Sequence, residues 1–427
     1  VKWHDGKPFT SADVVYNLTE VFTMHPTGAL YSQVLDSAVA TDAHTVVIKF
    51  KEPFAPFPAL LTDLQVYPAH IFEGTDLSTN PANSNPVGLG PYKFVEQVTG
   101  DFVRVERNTD YYGEQGGADE IIFKVMPDSN ARSLALQSGD VDYIPATFFE
   151  LTQKQLFDNN ASYELISTPG TVQSSLLFFN LTNKVLSDYE VRKAIFHGIN
   201  REEIADKVFA GTAEVTKTPV PNQIAWAADP SIDYSKDFAY DPTKAAAILD
   251  AAGYKADANG VRFEVRLAAM GGRPTWQGPT EIIKANLEQI GISVDLQVLE
   301  RNLYIDSVYN TGDFDMVVTE LAAYADPTLG VARSFVCNPN KLAFMNASIV
   351  CSEAIDQEWA LASQFSDIEK RQEHFYKAQQ MVTKVLNALP LNSAIYFGVA
   401  RTDKWEGFEQ AISAQNQTNW NKIQLKK

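Results

Sequence analysis

Residues 262–300 constrain the fold most. RFEVRLAAM (262–270) is an apolar strand, EIIKANLEQIGI (281–292) carries a helical pattern, and SVDLQVLE (293–300) is a second strand. Two strands joined through a helix pair in parallel, because the crossover is too long for a hairpin. A parallel sheet needs helices over its faces, so a chain holding this unit is α/β.

The rest of the sequence agrees with a mixed fold. HTVVIKF (44–50) alternates Val46, Ile48 and Phe50, and FVRVERN (102–108), IIFKVM (121–126) and SSLLFFNL (174–181) read as further strands. Asn200 to Glu203 resembles a capping box ahead of Ile204 and Val208, with Gly211 closing that helix. In YDPTKAAAILDAAGY, Asp241 caps, Pro242 takes the first helical position and Gly253 follows the end. A longer helix is expected from Asp367 to Ala388, with Phe375, Ala378, Val382, Val385 and Leu389 on one side and Pro390 stopping it. TKTPVPNQIAWAADPSIDY (216–234) is rich in proline and lacks either periodicity, so it reads as a crossover between domains.

The first residues, VKWHDGKPFT, read as a strand end, a turn over His4 to Pro8, and a helix capped near Thr10 and Asp13. That helix places Val14, Val15, Leu18, Val21 and Phe22 on one face. A strand end at residue 1 calls for a partner strand.

At 427 residues the chain is too long for one ordinary domain of about 150 residues, so two or three are expected. Apolar residues make up 45%, enough to fill sizeable cores. No run reaches the roughly eighteen apolar residues of a membrane span. With 35 basic against 53 acidic residues the net charge is −18, which repels phosphate backbones and argues against nucleic acid.

No reactive constellation appears. There is no G-x-S-x-G, H-E-x-x-H or C-x-x-C, and Gly88-Leu-Gly90-Pro91 is too short to cradle a dinucleotide. His4, His25, His44, His70, His197 and His374 are scattered without ligand spacing, so neither a metal nor a cofactor is expected. Cys337 and Cys351 close a short polar loop that fits a disulfide in an oxidising compartment; the alternative is two unrelated buried thiols.

Several of these segments together resemble the family 5 extracellular solute-binding proteins of ABC transporters, the peptide-, nickel- and oligosaccharide-type receptors. WHDGKPFTSADVVYNL looks like the family signature, and NPVGLGPYKFVE resembles its P-x-G-x-G-P-Y stretch. NTDYYGEQGGADEIIFKVMPD, ARSLALQSGDVDYI, FNLTNKVLSDYEVRKAIFHGINREEIADKVFAG and YDPTKAAAILDAAGY follow in the family's order. The resemblance implies a bilobal periplasmic-binding-protein fold, type II-like and of the large cluster, with two lobes joined by a hinge and closing on ligand. It also implies a signal peptide and an N-terminal segment ahead of residue 1, which would supply the missing strand neighbour. Carried over, residues 1–111 form the extra subdomain, 112–212 the first lobe, 213–397 the second lobe, and 398–427 a return to the first.

The same resemblance implies a non-enzymatic receptor that works outside the cytoplasm. It would be periplasmic, or lipid-anchored in a Gram-positive source, and would act as a monomer that hands a small organic solute to a membrane permease. It further implies that Cys337 and Cys351 are bonded. The family's dipeptide receptors hold a ligand carboxylate with an Arg in an Arg-Pro-aromatic context, which the resemblance carries onto Arg273, Pro274 and Trp276 in MGGRPTW, unless Arg273 is a solvated loop residue. In the family's peptide receptors the ligand amine falls to an Asp four residues before the Pro of an acidic-Pro step. In LAAYADPT that position is Ala323, with Tyr324 next and Asp326 at the step itself, where turn capping is the competing role. Thr328 replaces the His of nickel-type receptors. Gln173, Ser174 and Ser175 and, near the hinge, Tyr143 are further wall candidates, against the general tendency of aromatics to be core. The expected ligand bears a carboxylate without an α-ammonium in the usual place: a modified amino acid, an opine-like conjugate, a peptide-like compound or an acidic sugar. The alternatives are a di- or oligopeptide receptor, and an enzyme or sensor on the same scaffold.

Overall fold

The structure is a computed structural model that describes residues 1–24, 28–63, 65–324, 326–409 and 418–426; His25 and Ala325 lie outside the described residues. Contacts gather the chain into two compact units, Val1–Thr168 with Phe397–Lys427, and Pro169–Tyr396. The expected limits at 111/112 and 212/213 fall inside the first and second unit respectively.

In the first unit the opening turn forms as the sequence suggests. Gly6 adopts φ +86°, where a side chain would be strained, and its N–H reaches the Trp3 carbonyl at 2.9 Å. Lys2 and Pro8 meet only as an isolated bridge. The capping box at Thr10 and Asp13 starts the helix Ser11–Tyr16. β1 (Leu35–Asp42) and β2 (Thr45–Phe50) form an antiparallel hairpin in which Val46, Ile48 and Phe50 are the half-buried set. β3 (Tyr92–Val98), β4 (Phe102–Arg107) and β5 (Glu120–Lys124) make a three-stranded antiparallel sheet, followed by the short β6 (Tyr143–Ile144). β7 (Tyr163–Phe179) begins in this unit and ends in the second.

The second unit is built on β8 (Ala213–Val215), β9 (Phe263–Met270), β10 (Ile292–Leu299), β11 (Met316–Ala322) and the first part of β12 (Ala388–Arg401). Its strand order is β10-β9-β11-β7-β12, with β8 on β12. β9 pairs in parallel with β10 from Phe263↔Ile292 to Met270↔Leu299, joined by the helix Pro274–Gln289, so the βαβ unit read from the sequence is present. β11 is parallel to β9 and antiparallel to β7. The core includes Phe178, Val317, Leu321, Trp276, Tyr304, Trp359 and Phe375.

Two helix starts match their expected caps. Asn200 accepts the Glu203 N–H at 3.1 Å, and Asp241 accepts that of Lys244 at 2.8 Å. The long helix is shorter than expected. It spans Ile368–Val385 and ends where Leu386 turns left-handed at φ +50°, its N–H closing on the Val382 carbonyl. Pro390 does not stop it; that residue lies inside β12, where its carbonyl accepts from Arg201 Nη1 at 3.2 Å. The proline-rich stretch 216–234 runs within the second unit, with Val220, Ile224 and Ala227 buried in its core. Cys337 and Cys351 form a disulfide with Cα atoms 4.6 Å apart, which removes the alternative of separate thiols.

β12 then re-enters the first unit and pairs with β6 through Val399↔Ile144 and Ala400↔Tyr143. The tail adds β13 (Trp405–Glu406) and β14 (Gln424–Leu425), which pair with each other. Arg401 holds the carbonyls of Leu136 and Asp142, and Gly117 donates to the Ile423 carbonyl, so this last piece completes the unit's interior.

Candidate ligand-binding site

Open α/β sheets place ligands at the carboxyl ends of their strands. In the second unit those ends are Met270 on β9 and Ala322 on β11. After β9 the chain turns through Gly272, at φ +78°, into Arg273, whose extended backbone forms the N-cap of the helix Pro274–Gln289. The Arg273 side chain is exposed and lies 5.7 Å from the ring centre of the buried Trp276. Among the described residues no carboxylate forms an ion pair with it.

Beside this turn lies a residue that sequence reasoning missed. Glu320 on β11 is 7% exposed. Its Oε2 accepts from the Thr275 hydroxyl at 2.9 Å, and its Oε1 accepts from the Tyr396 hydroxyl. Burial pushes the Glu320 carboxyl above its usual range, against the opposing pull of Tyr396, Thr275, Arg273 and Trp276. Burial, reinforced by the Glu320 charge, likewise pushes the Tyr396 hydroxyl well up. Directly opposite Glu320 on β7 is Ser175, whose buried hydroxyl has no hydrogen-bond partner among the described residues. The Trp276 indole N–H stands near enough to Glu320 to favour its charge. The signal was legible in part: Glu320 is the lone charge in the otherwise apolar run MVVTELAA.

Strand register sorts the β7 candidates. Gln173 pairs with Ala322 and shares the Glu320 and Ser175 face, whereas Ser174 pairs with Leu321 on the opposite, core-facing side. Ala323 is buried, donates its N–H to the Val172 carbonyl at 2.9 Å, and packs so closely under Gly330 that a Cβ there would lie 2.1 Å from its carbonyl. Tyr324 takes a left-handed φ of +51°, and the Arg333 guanidinium lies 4.9 Å from its ring centre.

Asp326 is fully committed. It caps the turn Pro327–Gly330 by accepting the Thr328 N–H and hydroxyl, at 3.0 and 2.7 Å, and it pairs with Arg371 at 2.8 Å. Arg371 is itself buried, donates to the Ala362 carbonyl and lies against Trp226 and Phe375. Tyr143 belongs to the first unit, where it packs on Phe408 and Trp420 and its hydroxyl accepts from Thr418 at 3.1 Å. The arrangement thus gathers Arg273, Trp276 and Gln173 with Glu320, and leaves Ser174, Asp326 and Tyr143 in other surroundings. Cys337, Cys351 and Asp356 cluster as potential metal ligands, but the two sulfurs are bonded to each other and Asp356 accepts the Cys337 N–H at 2.9 Å.

The model of the bacterial extracellular solute-binding proteins, family 5, matches residues 1–341, and the chain belongs to that family. The oligopeptide-binding protein AppA of Bacillus subtilis is 30% identical over 335 residues, covering 74% of this chain and 60% of AppA. The glutathione-binding protein GsiB of Pectobacterium atrosepticum is 28% identical over 369 residues, covering 79% and 68%. The chain spans about three-fifths of the length of the first curated relatives it matches. Among solved structures, AppA with a nonapeptide superposes with a TM-score of 0.84 at 23% identity, covering 100% of this chain and 86% of AppA. AgaA of A. tumefaciens R10 with agropinic acid gives 0.82 at 22%, covering 100% and 85%. The fold is therefore the bilobal periplasmic-binding-protein fold of this family, as the sequence motifs implied.

Proposed function

We propose that this chain is the solute-capturing receptor of an ABC importer and that Arg273 holds a carboxylate of its ligand. The observation that carries the reading is the exposed Arg273 guanidinium at the carboxyl end of β9, which forms no ion pair among the described residues and stands beside a buried polar cluster. A guanidinium matches a carboxylate with two parallel hydrogen bonds, which suits it to this task. Family membership supports a binding rather than a catalytic role, with a membrane permease as partner and a site of action outside the cytoplasm. Among the described residues no helix is long and apolar enough to cross a membrane.

Relatives have ligands as different as a nonapeptide, Fe(III)-EDTA and agropinic acid, so the family leaves the ligand open. Ala323 offers no charge to an α-ammonium, and Asp326 is occupied by Arg371 and its own turn. These two facts favour a modified or conjugated carboxylate over an ordinary dipeptide; the likeness to AppA is what supports a peptide receptor instead. Thermal-shift screening against peptides, opines, sugar acids and simple organic acids tests the reading. Stabilisation by carboxylate compounds, weakened by roughly 2–5 kcal/mol in Arg273→Ala, is expected. No hit across the panel, or hits indifferent to Arg273→Ala, would refute it.

A further inference from the structure

We propose that Glu320 is the carboxylate of a second subsite beside Arg273, one that receives a protonated amine of the solute. The solute is then amphoteric, with its carboxylate on Arg273 and its amine displaced from the place that Ala323 occupies. The proposal rests on the receptor reading above and specifies the ligand's second end.

Three observations carry it. First, Glu320 is buried, yet its partners are the hydroxyls of Thr275 and Tyr396, and among the described residues no cation forms an ion pair with it. The other well-buried acid near the end of β11, Asp326, has its cation in Arg371. A buried carboxylate without a cation is costly to keep, and a ligand ammonium is the group that would relieve it. Second, a buried polar atom next to it, Ser175 Oγ across the strand pair, has no partner among the described residues. Such an atom beside a buried carboxylate that forms no ion pair among the described residues marks a place where a polar ligand group belongs. Third, Thr275 ties Glu320 to the same helical turn that presents Arg273, so both ends of a small solute meet one rigid junction.

The surroundings settle the sign of the ligand group. The neighbours facing Glu320 are Arg273, Thr275 and Trp276 from the helix, Tyr396 from β12 and Ser175 from β7. A second ligand carboxylate brought to Glu320 would set like charges together in a low-dielectric site. An ammonium has three donors, no acceptor and the opposite charge. The raised carboxyl described above is consistent with a site whose charge is completed from outside.

The test uses the full chain and carboxylate probes in matched pairs, each with a free amine and as its N-acetyl derivative: amino acids, dipeptides and iminodicarboxylates. Binding is read by thermal shift and then by calorimetry on the unaltered chain, on Glu320→Gln and on Arg273→Ala. At least one free-amine probe is expected to bind about 100-fold more tightly than its acetylated partner, with a similar loss in Glu320→Gln. Glu320→Asp, which keeps the charge, is expected to retain the preference for the amine and guards against a variant that fails to fold. An acetylated probe that binds as tightly as its amine, or binding that falls in Arg273→Ala but not in Glu320→Gln, overturns the subsite and leaves the receptor reading intact. Absence of any binder overturns both.

Discussion

Replacing Glu320 by glutamine is expected to stabilise the protein at neutral pH and to leave it unchanged in acid. The carboxyl is buried and its folded pKa is raised, mainly by loss of water. Below the usual glutamate value of about 4.3 it is protonated whether the chain is folded or not, so its ionisation adds no penalty. As pH rises toward the folded pKa, the unfolded chain loses the proton first and folding becomes progressively less favourable; above that pKa the penalty is complete. Glutamine preserves shape and can still accept from one hydroxyl and donate to the other, so only the charge is lost. Neutral replacement of buried charge spans roughly 1–4 kcal/mol in favour of the variant. The two hydroxyl bonds from Thr275 and Tyr396 already offset part of the desolvation, which places the gain near the lower end, about 1 kcal/mol. In a unit of this size that is a rise of about 2–4 °C in Tm. Alanine gives the opposite result, because it orphans both hydroxyls at roughly 1–3 kcal/mol each. Calorimetric melts of the three proteins from pH 4 to pH 7 decide the matter. A glutamine variant less stable than the parent at pH 7, or a difference that does not change with pH, would show that the carboxylate is not held against its charge.

Other perturbations follow from the same packing. Arg371→Met leaves Asp326 buried without its cation and is expected to cost about 3–5 kcal/mol, seen as a lower urea midpoint. Serine at both Cys337 and Cys351 opens a loop of sequence separation 14 and is expected to cost about 3 kcal/mol; intact mass without reductant should show the parent two hydrogens lighter than its reduced form. Gly330→Ala would drive a Cβ to 2.1 Å from the Ala323 carbonyl, so a loss of about 2–3 kcal/mol is expected, and an unchanged melt would contradict that close approach.

Much of the fold was legible wherever local chemistry dictates local shape. The caps at Asn200 and Asp241, the alternation in residues 44–50 and the βαβ pattern of 262–300 each lie where the sequence puts them. The misreadings share a cause. Pro390 looks like a helix stop, but Leu386 ends that helix through its own left-handed turn, and a buried strand accepts the proline. The stretch 216–234 reads as a crossover between domains by composition, and its Val220, Ile224 and Ala227 sit in a core that no local rule foresees. The site divides the same way. The candidate Arg273 rests on a local feature, its Arg-Pro-aromatic context. In the Thr275–Glu320–Tyr396 cluster, Glu320 meets partners 45 and 76 positions away, a grouping only the assembled sheet creates.

The second unit is one unbroken piece of chain, whereas the first is written in two, before and after it. A polypeptide that emerges amino end first therefore exposes β6 and the helix Ser129–Ser138 long before Arg401 and Ile423 arrive to close over their carbonyls and neighbouring turns. The second unit can finish as soon as Tyr396 is out, while the first must wait unfinished for its last strands. The order of synthesis is thus written into the chain's layout, with the unbroken unit complete before the unit that flanks it.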